Sequence, residues 1–367
     1  MERFEYADNI IGDREIMIAV PSIVIGVGVL SMPRYIANPT IAVDGLMTII
    51  AGGVLVLLLT WLVAKLASQF PRQNFIDYAT LITSRPLGIM FTFLLAVQGL
   101  MLAAYETRVI ADVATQYLFD QTPYGVVGLS FLLVVVYAVS GTRAGLFRLN
   151  MMFFPIILVI SILVMLLTTG LFEAGNLLPV FKTDVSGHWE ALKQSIFSFL
   201  GIGILLFYTA LVRKPENVPR KACIGMSIAV FLYCLIYITC IAVFGNLVAG
   251  NLMYPTVELA KDVQIPGGFF ERFESLFFVI WIMAIFNTTA MAFDVTVFAL
   301  NSIFRKNRKM QLIFLLAPII YVIGMTPKDT PGVTAFGTFV SYYGMAVTTV
   351  ITVLLFIVAR LRGVKSQ

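Results

Sequence analysis

The string Tyr105-Glu106-Thr107-Arg108 sets an acid and a base inside a long apolar run. Charges at membrane depth are costly and persist only where they face protein or water. Residues two apart point to nearly opposite sides of a helix, so Glu106 and Arg108 do not pair with each other, whereas Arg108 and Asp112, at i and i+4, can. Arg108 and Asp112 read as a structural ion pair. Glu106 reads either as an interhelical hydrogen-bond partner or as a proton-linked group. A second polar set, Asn287-Thr288-Thr289, lies in a later apolar run, with Asp294 about a turn and a half further on. Thr288 is either bonded back to its own helix, the usual fate of a membrane threonine, or a ligand for an amine, carboxylate or water. Asp294 suits a gate or helix contact as well as an ion site.

Two glycine pairs interrupt apolar runs at corresponding places, Gly26-Val27-Gly28 and Gly201-Ile202-Gly203. Glycine permits backbone angles that other residues resist. A helix broken in mid-membrane exposes N–H and C=O groups, which is tolerated only where something polar meets them. The half-helix after Gly28 would aim its positive N-terminal end at the break, where a carboxylate sits well. Close helix packing is the other use of membrane glycines; the matched pair favours a binding site.

Catalysis finds little support. The single histidine, His188, precedes the sixth apolar run, so neither a Ser/His pair nor a histidine-based metal site can be built inside the membrane. Phosphate-loop and dinucleotide fingerprints are absent from the sequence. Cys223, Cys234 and Cys240 have no CxxC or CxxH spacing and read as inert core residues. The expectation is a non-enzyme with no metal and no cofactor.

The elements that must position these groups follow from composition. The 367 residues are 59% hydrophobic and 12% charged, with a mean hydropathy of +0.94, against roughly 25% charged in a soluble domain. That excludes a water-soluble enzyme. Apolar runs predict ten crossings at about 16–36, 42–66, 86–118, 123–140, 148–170, 191–212, 219–246, 269–300, 310–326 and 333–360. Of the 25 Lys and Arg, eighteen fall on the face that carries both termini, six on the other, and Arg108 within the membrane. Positive charge is retained on the cytoplasmic face, which puts both termini there. The net charge of +5 is thus a topology signal and not a nucleic-acid footprint. Residues 1–15 hold five acids against Arg3 and Arg14, unlike a cleaved signal peptide.

Between the second and third crossings, residues 74–82 form a short helix with Phe75, Tyr78, Ala79 and Ile82 on one face, as an interfacial helix would. Residues 256–263 form another, capped by Thr256, between the seventh and eighth. Gly26 to Gly201 is an offset of 175 residues, Phe75 to Thr256 is 181, and Glu106 to Thr288 is 182. Similar features at nearly one spacing, on opposite membrane faces, predict a five-plus-five inverted repeat within a single transmembrane domain, about 10–172 and 188–361.

Gly26-x-Gly28-x4-Pro33, Tyr105-Glu106-Thr107-Arg108, Phe199-Leu200-Gly201 and Glu271-Arg272-Phe273-Glu274-Ser275 occur in that order. Over essentially its full length the chain resembles the B subunits of bacterial spore germination receptors, within the amino acid–polyamine–organocation transporter superfamily. The resemblance implies an all-α, LeuT-type fold with broken first and sixth helices. It also implies residence in the inner membrane of the spore, in complex with an A subunit and a lipoprotein C subunit, and sensing of a small nutrient, often an amino acid. By similarity the ligand pocket maps to Gly26, Val27 and Gly28, Leu102, Leu200 and Gly201, and Thr288. Many relatives carry Glu where this chain has Gly203, which puts coupling through that carboxylate in doubt. The fifth crossing lacks the lysine that replaces a sodium ion in some proton-coupled relatives. An active amino acid transporter, or a scaffold that conducts water or ions, remain the alternatives, because fold does not decide function.

Overall fold

The computed structural model describes residues 10–26, 28–119, 121–263, 273–304 and 309–364. Val27, and Glu271 and Arg272 of the string quoted above, lie outside them. Among the described residues the chain is helical, and its β pairing is confined to one isolated bridge, Ile11 with Val212. In chain order the α-helices are α1 (Asp13–Val24), α2 (Gly28–Ala37), α3 (Gly45–Ser68), α4 (Phe75–Ile82), α5 (Arg85–Tyr117), α6 (Tyr124–Ser140) and α7 (Arg143–Leu167). They continue with α8 (Val185–Ser195), α9 (Leu205–Tyr208), α10 (Val218–Asn251), α11 (Pro255–Lys261), α12 (Phe273–Phe304), α13 (Lys309–Met325) and α14 (Thr330–Leu361).

Helices α3, α5, α7, α10, α12 and α14 are each long and apolar enough to cross a bilayer, and the pair α1 and α2, bent by 53°, makes a seventh span. Helices α6 and α13 have 17 residues each, at the lower bound of the roughly 17–25 that span hydrocarbon. The broken segment from α8 to Leu211 completes the set. At 33 residues and about 1.5 Å per residue, α5 is about 50 Å long and extends beyond a hydrocarbon core of about 30 Å.

Helices α5 and α12 form the axis. The most apolar stretch of α12 is 78% buried within the protein, so it faces other helices rather than lipid. The two helices approach at backbone distance: a Cβ on Gly99 would lie 2.6 Å from Thr296 Oγ1 and 2.7 Å from the Ala292 carbonyl oxygen. Small residues allow such contacts, which is how membrane helices gain packing energy without a hydrophobic drive between them. Around this axis, α1 and α2 pack on α10, while α7, α13 and α14 pack on α12 or α5.

Two sequence expectations are corrected in detail. Helix α7 begins at Arg143, not near residue 148, because Thr142 caps it by accepting from the Gly145 N–H at 3.1 Å; Arg143 and Arg148 therefore both sit on the helix. Helix α11 is preceded by Tyr254 as its cap, and Thr256 instead donates to the Val29 carbonyl at 2.8 Å. A long-range bond outcompetes the local cap and ties α11 to α2. Helix α4 buries Phe75, Tyr78, Ala79 and Ile82, and the Tyr78 hydroxyl donates to the Leu206 carbonyl at 2.9 Å.

Candidate functional site

The two interrupted spans meet at their breaks. In the first, α1 ends at Val24 and α2 restarts at Gly28. In the second, α8 gives way to a 3-10 turn over Ile196–Phe199, and the backbone then turns at Gly201 with φ of +111°. L side chains rarely adopt that φ. A Cβ on Gly28 would lie 2.8 Å from Ser198 Cα, so the start of α2 touches the second break directly.

Broken helix ends leave carbonyls without helical partners. Here Tyr233, on α10 and wholly buried, supplies one: its hydroxyl proton lies between the Val24 carbonyl at 2.8 Å and the Ser198 carbonyl at 2.7 Å. One phenol thus fastens both breaks. Thr288 does similar work on the first, donating to the Ser22 and Ile23 carbonyls at 3.2 and 3.1 Å, with a weaker approach to Ala284 of its own helix at 3.4 Å. Thr288 thus bonds back to its own helix, as membrane threonines usually do, but its shorter contacts are to the carbonyls of the break.

Gly26, Thr288 and Glu106 converge. A Cβ on Gly26 would lie 2.5 Å from Thr288 Oγ1 and 3.2 Å from Glu106 Oε1. Glu106 is buried at 1% exposure, so the acid of α5 reaches the first break. Beside this junction is a void lined by Ile23, Gln98, Leu102, Gly201, Gly203 and Val295, among others. Its volume is about 20 Å³, room for roughly one water. Leu102 and Gly201 line it; Leu200 packs toward Gly344, 3.1 Å from where a Cβ would stand there. Gly203, where the resemblance implies a Glu in many relatives, faces Thr348 Oγ1 and Gln98 Oε1, which lie 3.2 and 3.6 Å from its Cβ position. Thr348 donates to that Gln98 oxygen at 3.0 Å. A buried neutral pair therefore stands where an acid would project.

Next to Phe207, Ala292 and Val295 of the void's lining lies a cluster of charge. Asp294, with no exposure, accepts from Arg143 Nε at 2.9 Å and from the Tyr208 hydroxyl at 2.8 Å, both at Oδ2. The Arg143 guanidinium lies 4.0 Å over the Phe298 ring. Helices α7, α9 and α12 are joined at one carboxylate oxygen. Lys309 donates to the Gly141 carbonyl nearby. On the other side of the junction, Arg108 pairs with Asp112 at 3.2 Å and stacks 4.0 Å over Tyr124.

Sequence reasoning missed Gln98, Thr348, Tyr233, Tyr208 and Arg143. Gln98 carried a readable signal, standing four and eight residues before Leu102 and Glu106 on one face of α5. Arg143 was counted only as a topology charge. The two tyrosines and Thr348 lie in apolar runs where nothing local marks them.

Among solved structures the chain is similar to MhsT in complex with L-phenylalanine, with a TM-score of 0.74 over 93% of this chain and 88% of that one at 15% identity. It is also similar to Mhp1, a nucleobase-cation-symport-1 family transporter in a closed conformation, with a TM-score of 0.69 over 97% and 80% at 15% identity. The fold is thus the ten-helix LeuT-type transporter fold, with its first and sixth helices broken.

Residues 11–333 match the family described as "Spore germination protein". The chain is 40% identical to spore germination protein GerLB of Bacillus cereus over 99% of its length and 97% of the relative's. It is 29% identical to spore germination protein YndE of Bacillus subtilis (strain 168) over 94% and 95%. The chain belongs to the spore germination protein family, as a receptor B-subunit type of integral membrane protein.

Proposed function

We propose that this protein is the nutrient-sensing membrane subunit of a spore germination receptor, binding a small ligand, an amino acid, where the two helix breaks meet. It works in the inner membrane of the spore with both termini in the cytoplasm, beside an A subunit and a lipoprotein C subunit. The ligand's carboxylate lies at the first break, against Gly26, Val27 and Gly28. Leu102, Leu200 and Gly201 bound its side chain, and Thr288 and Glu106 complete the polar wall.

The observation that carries this reading is the convergence of Gly26, Thr288 and Glu106 beside two breaks fastened by the single Tyr233 hydroxyl. The void there, about 20 Å³, is too small for any amino acid. Ligand entry therefore demands that the breaks move apart, and a ligand that fits only the other arrangement shifts the population toward it. That shift, read by the partner subunits, is the signal. A second reading, active amino acid transport, rests on the fold shared with MhsT, solved with L-phenylalanine, and with the transporter Mhp1.

Gly26→Val and Thr288→Val each should abolish the nutrient response of spores while the protein still accumulates in the membrane. Unchanged dose–response curves in both would sink the site assignment. Uptake of labelled amino acid by proteoliposomes holding this chain alone would favour the transporter.

A further inference from the structure

Between the end of α7 and the second break, the chain exposes large apolar side chains on a stretch that crosses nothing. Phe181 is 77% exposed, Val185 84% and Trp189 62%. They belong to residues 168–195, which run from two 3-10 turns after α7 through α8. Polar contacts hold this stretch in place. The buried Asp44 carboxylate, at the head of α3, accepts from the N–H groups of Phe181, Lys182 and Thr183 at 2.6, 2.7 and 2.8 Å. The Ala242 carbonyl of α10, just before a kink at Gly245, accepts from the Glu173 N–H at 3.0 Å and from Asn176 Nδ2 at 3.1 Å. On α8, His188 Nδ1 and Thr48 Oγ1 of α3 are hydrogen-bonded at 2.8 Å.

The Asp44 clamp keeps Phe181 at φ of +58°, a left-handed conformation that is an outlier for a bulky side chain and that asparagine tolerates far better. Strain of this kind persists where the surrounding structure over-determines it, and it clusters at functional positions. Here it sets an aromatic ring outward. Exposed apolar side chains gathered in one region mark a protein or a membrane surface.

Height along the bundle separates the two. Helices α3 and α7 have 24 and 25 residues, hence lengths of about 36 and 38 Å at about 1.5 Å per residue. A hydrocarbon core is about 30 Å thick, and about 40–45 Å with its headgroup layers. The head of α3 and the end of α7 therefore lie in the headgroup layer opposite the termini, and Asp44 pins Phe181 at that level. The lipid face of α7 also runs into this stretch: Val159, Ile162 and Leu166, exposed at intervals of three and four, lead to exposed Phe172. Helix α8 is divided along its length, with Val185 and Trp189 on one side and Ser186, Glu190 and Gln194 on the adjoining one. Aromatic rings concentrate in the interfacial layer, and lysine stems lie along apolar surface with the amine in water or among headgroups. Phe181-Lys182 sets one of each side by side.

We propose that residues 171–189 form an interfacial anchor whose partner is the lipid surface of the leaflet opposite the termini. Phe172, Phe181, Val185 and Trp189 enter the acyl boundary, and Lys182 lies among the phosphates. Since the anchor is bonded to α3 and α10 and leads through α8 into the second break, it fixes the depth of that half-span against the helix whose Tyr233 fastens both breaks. It holds for a sensor and for a transporter alike.

The test is tryptophan quenching in the full-length protein, reconstituted in vesicles of phosphatidylcholine and phosphatidylglycerol. The chain has three tryptophans, and the difference between the parent and Trp189→Phe isolates the emission of Trp189. That emission should be lost to phosphatidylcholine brominated near the carbonyl end of its chains, less so to lipid brominated near the methyl end, and should persist in aqueous iodide. Phe181→Asn, which suits the left-handed backbone, should increase the loss to iodide without lowering the thermal midpoint; an unchanged loss would remove Phe181 from the anchor. Quenching by iodide with none by either brominated lipid would overturn the proposal. So would protection from iodide that arises only when the A and C subunits are reconstituted with the chain, which would make this stretch a protein-docking surface.

Discussion

Replacing Arg143 with methionine removes one partner of the most enclosed ion pair in the described structure. Asp294 has no exposure and the Arg143 side chain only 13%. Breaking a buried pair by deleting one member costs about 3–5 kcal/mol, because the remaining charge is left uncompensated. Tyr208 keeps its hydrogen bond to the same carboxylate oxygen at 2.8 Å, and a bond to a charged group contributes about 1.5–3 kcal/mol. The cost should therefore fall at the lower end, about 3 kcal/mol, equivalent to a shift of roughly 100-fold in the balance between arrangements closed and open at this face. The assay is the rate of thiol labelling at Ala292→Cys, which lines the central void, in a chain whose Cys223, Cys234 and Cys240 have been replaced. Arg143→Met should speed labelling by up to that factor while thermal unfolding stays cooperative. The triple change Arg143→Met/Tyr208→Phe/Asp294→Leu removes the charges and their donor together, and should restore stability to within about 1 kcal/mol of the parent. An unaltered labelling rate in Arg143→Met, with stability within about 0.5 kcal/mol, would refute the claim that this pair holds the cavity closed.

Tyr233→Phe leaves the Val24 and Ser198 carbonyls without their shared donor and should cost about 1–3 kcal/mol, read as a lower thermal midpoint; a midpoint at or above that of the parent would mean the breaks are held by other contacts. Asp184 caps α8, and its carboxyl is held below the ordinary carboxylate range by the Ser186 hydroxyl and the Gly187 N–H. A depressed folded value contributes stability above the unfolded value, near 4, and loses it as pH falls through the folded one. Asp184→Ala should therefore flatten the acid limb of a stability–pH profile below about pH 4, and leave the slope above pH 5 unchanged.

The legible part of the site was the part set by residue type along one helix. Glu106 announced itself as an acid at membrane depth, Arg108 and Asp112 by their i, i+4 spacing, and Gly26 and Gly201 by interrupting apolar runs at matching places. Lys and Arg counts give an expected orientation, but counting treats each charge as belonging to a loop. Arg143 shows the failure of that assumption, since it lies on α7 and is bound to Asp294, 151 residues away. Gln98 pairs with Thr348 across 250 residues, and no local pattern could join them.

The sequence by itself determined that the chain is membrane-embedded, that it crosses about ten times, and that two crossings are broken, because hydrophobicity, charge asymmetry and glycine act locally or through the bilayer. Only the tertiary structure decided which groups serve the breaks. A hydroxyl becomes a cap, and a carboxylate a latch, when a distant helix brings it within about 3 Å of its partner. Tyr233 and Asp294 acquire their roles from the packing of α10 on α1 and of α12 on α7, which no spacing along the chain encodes.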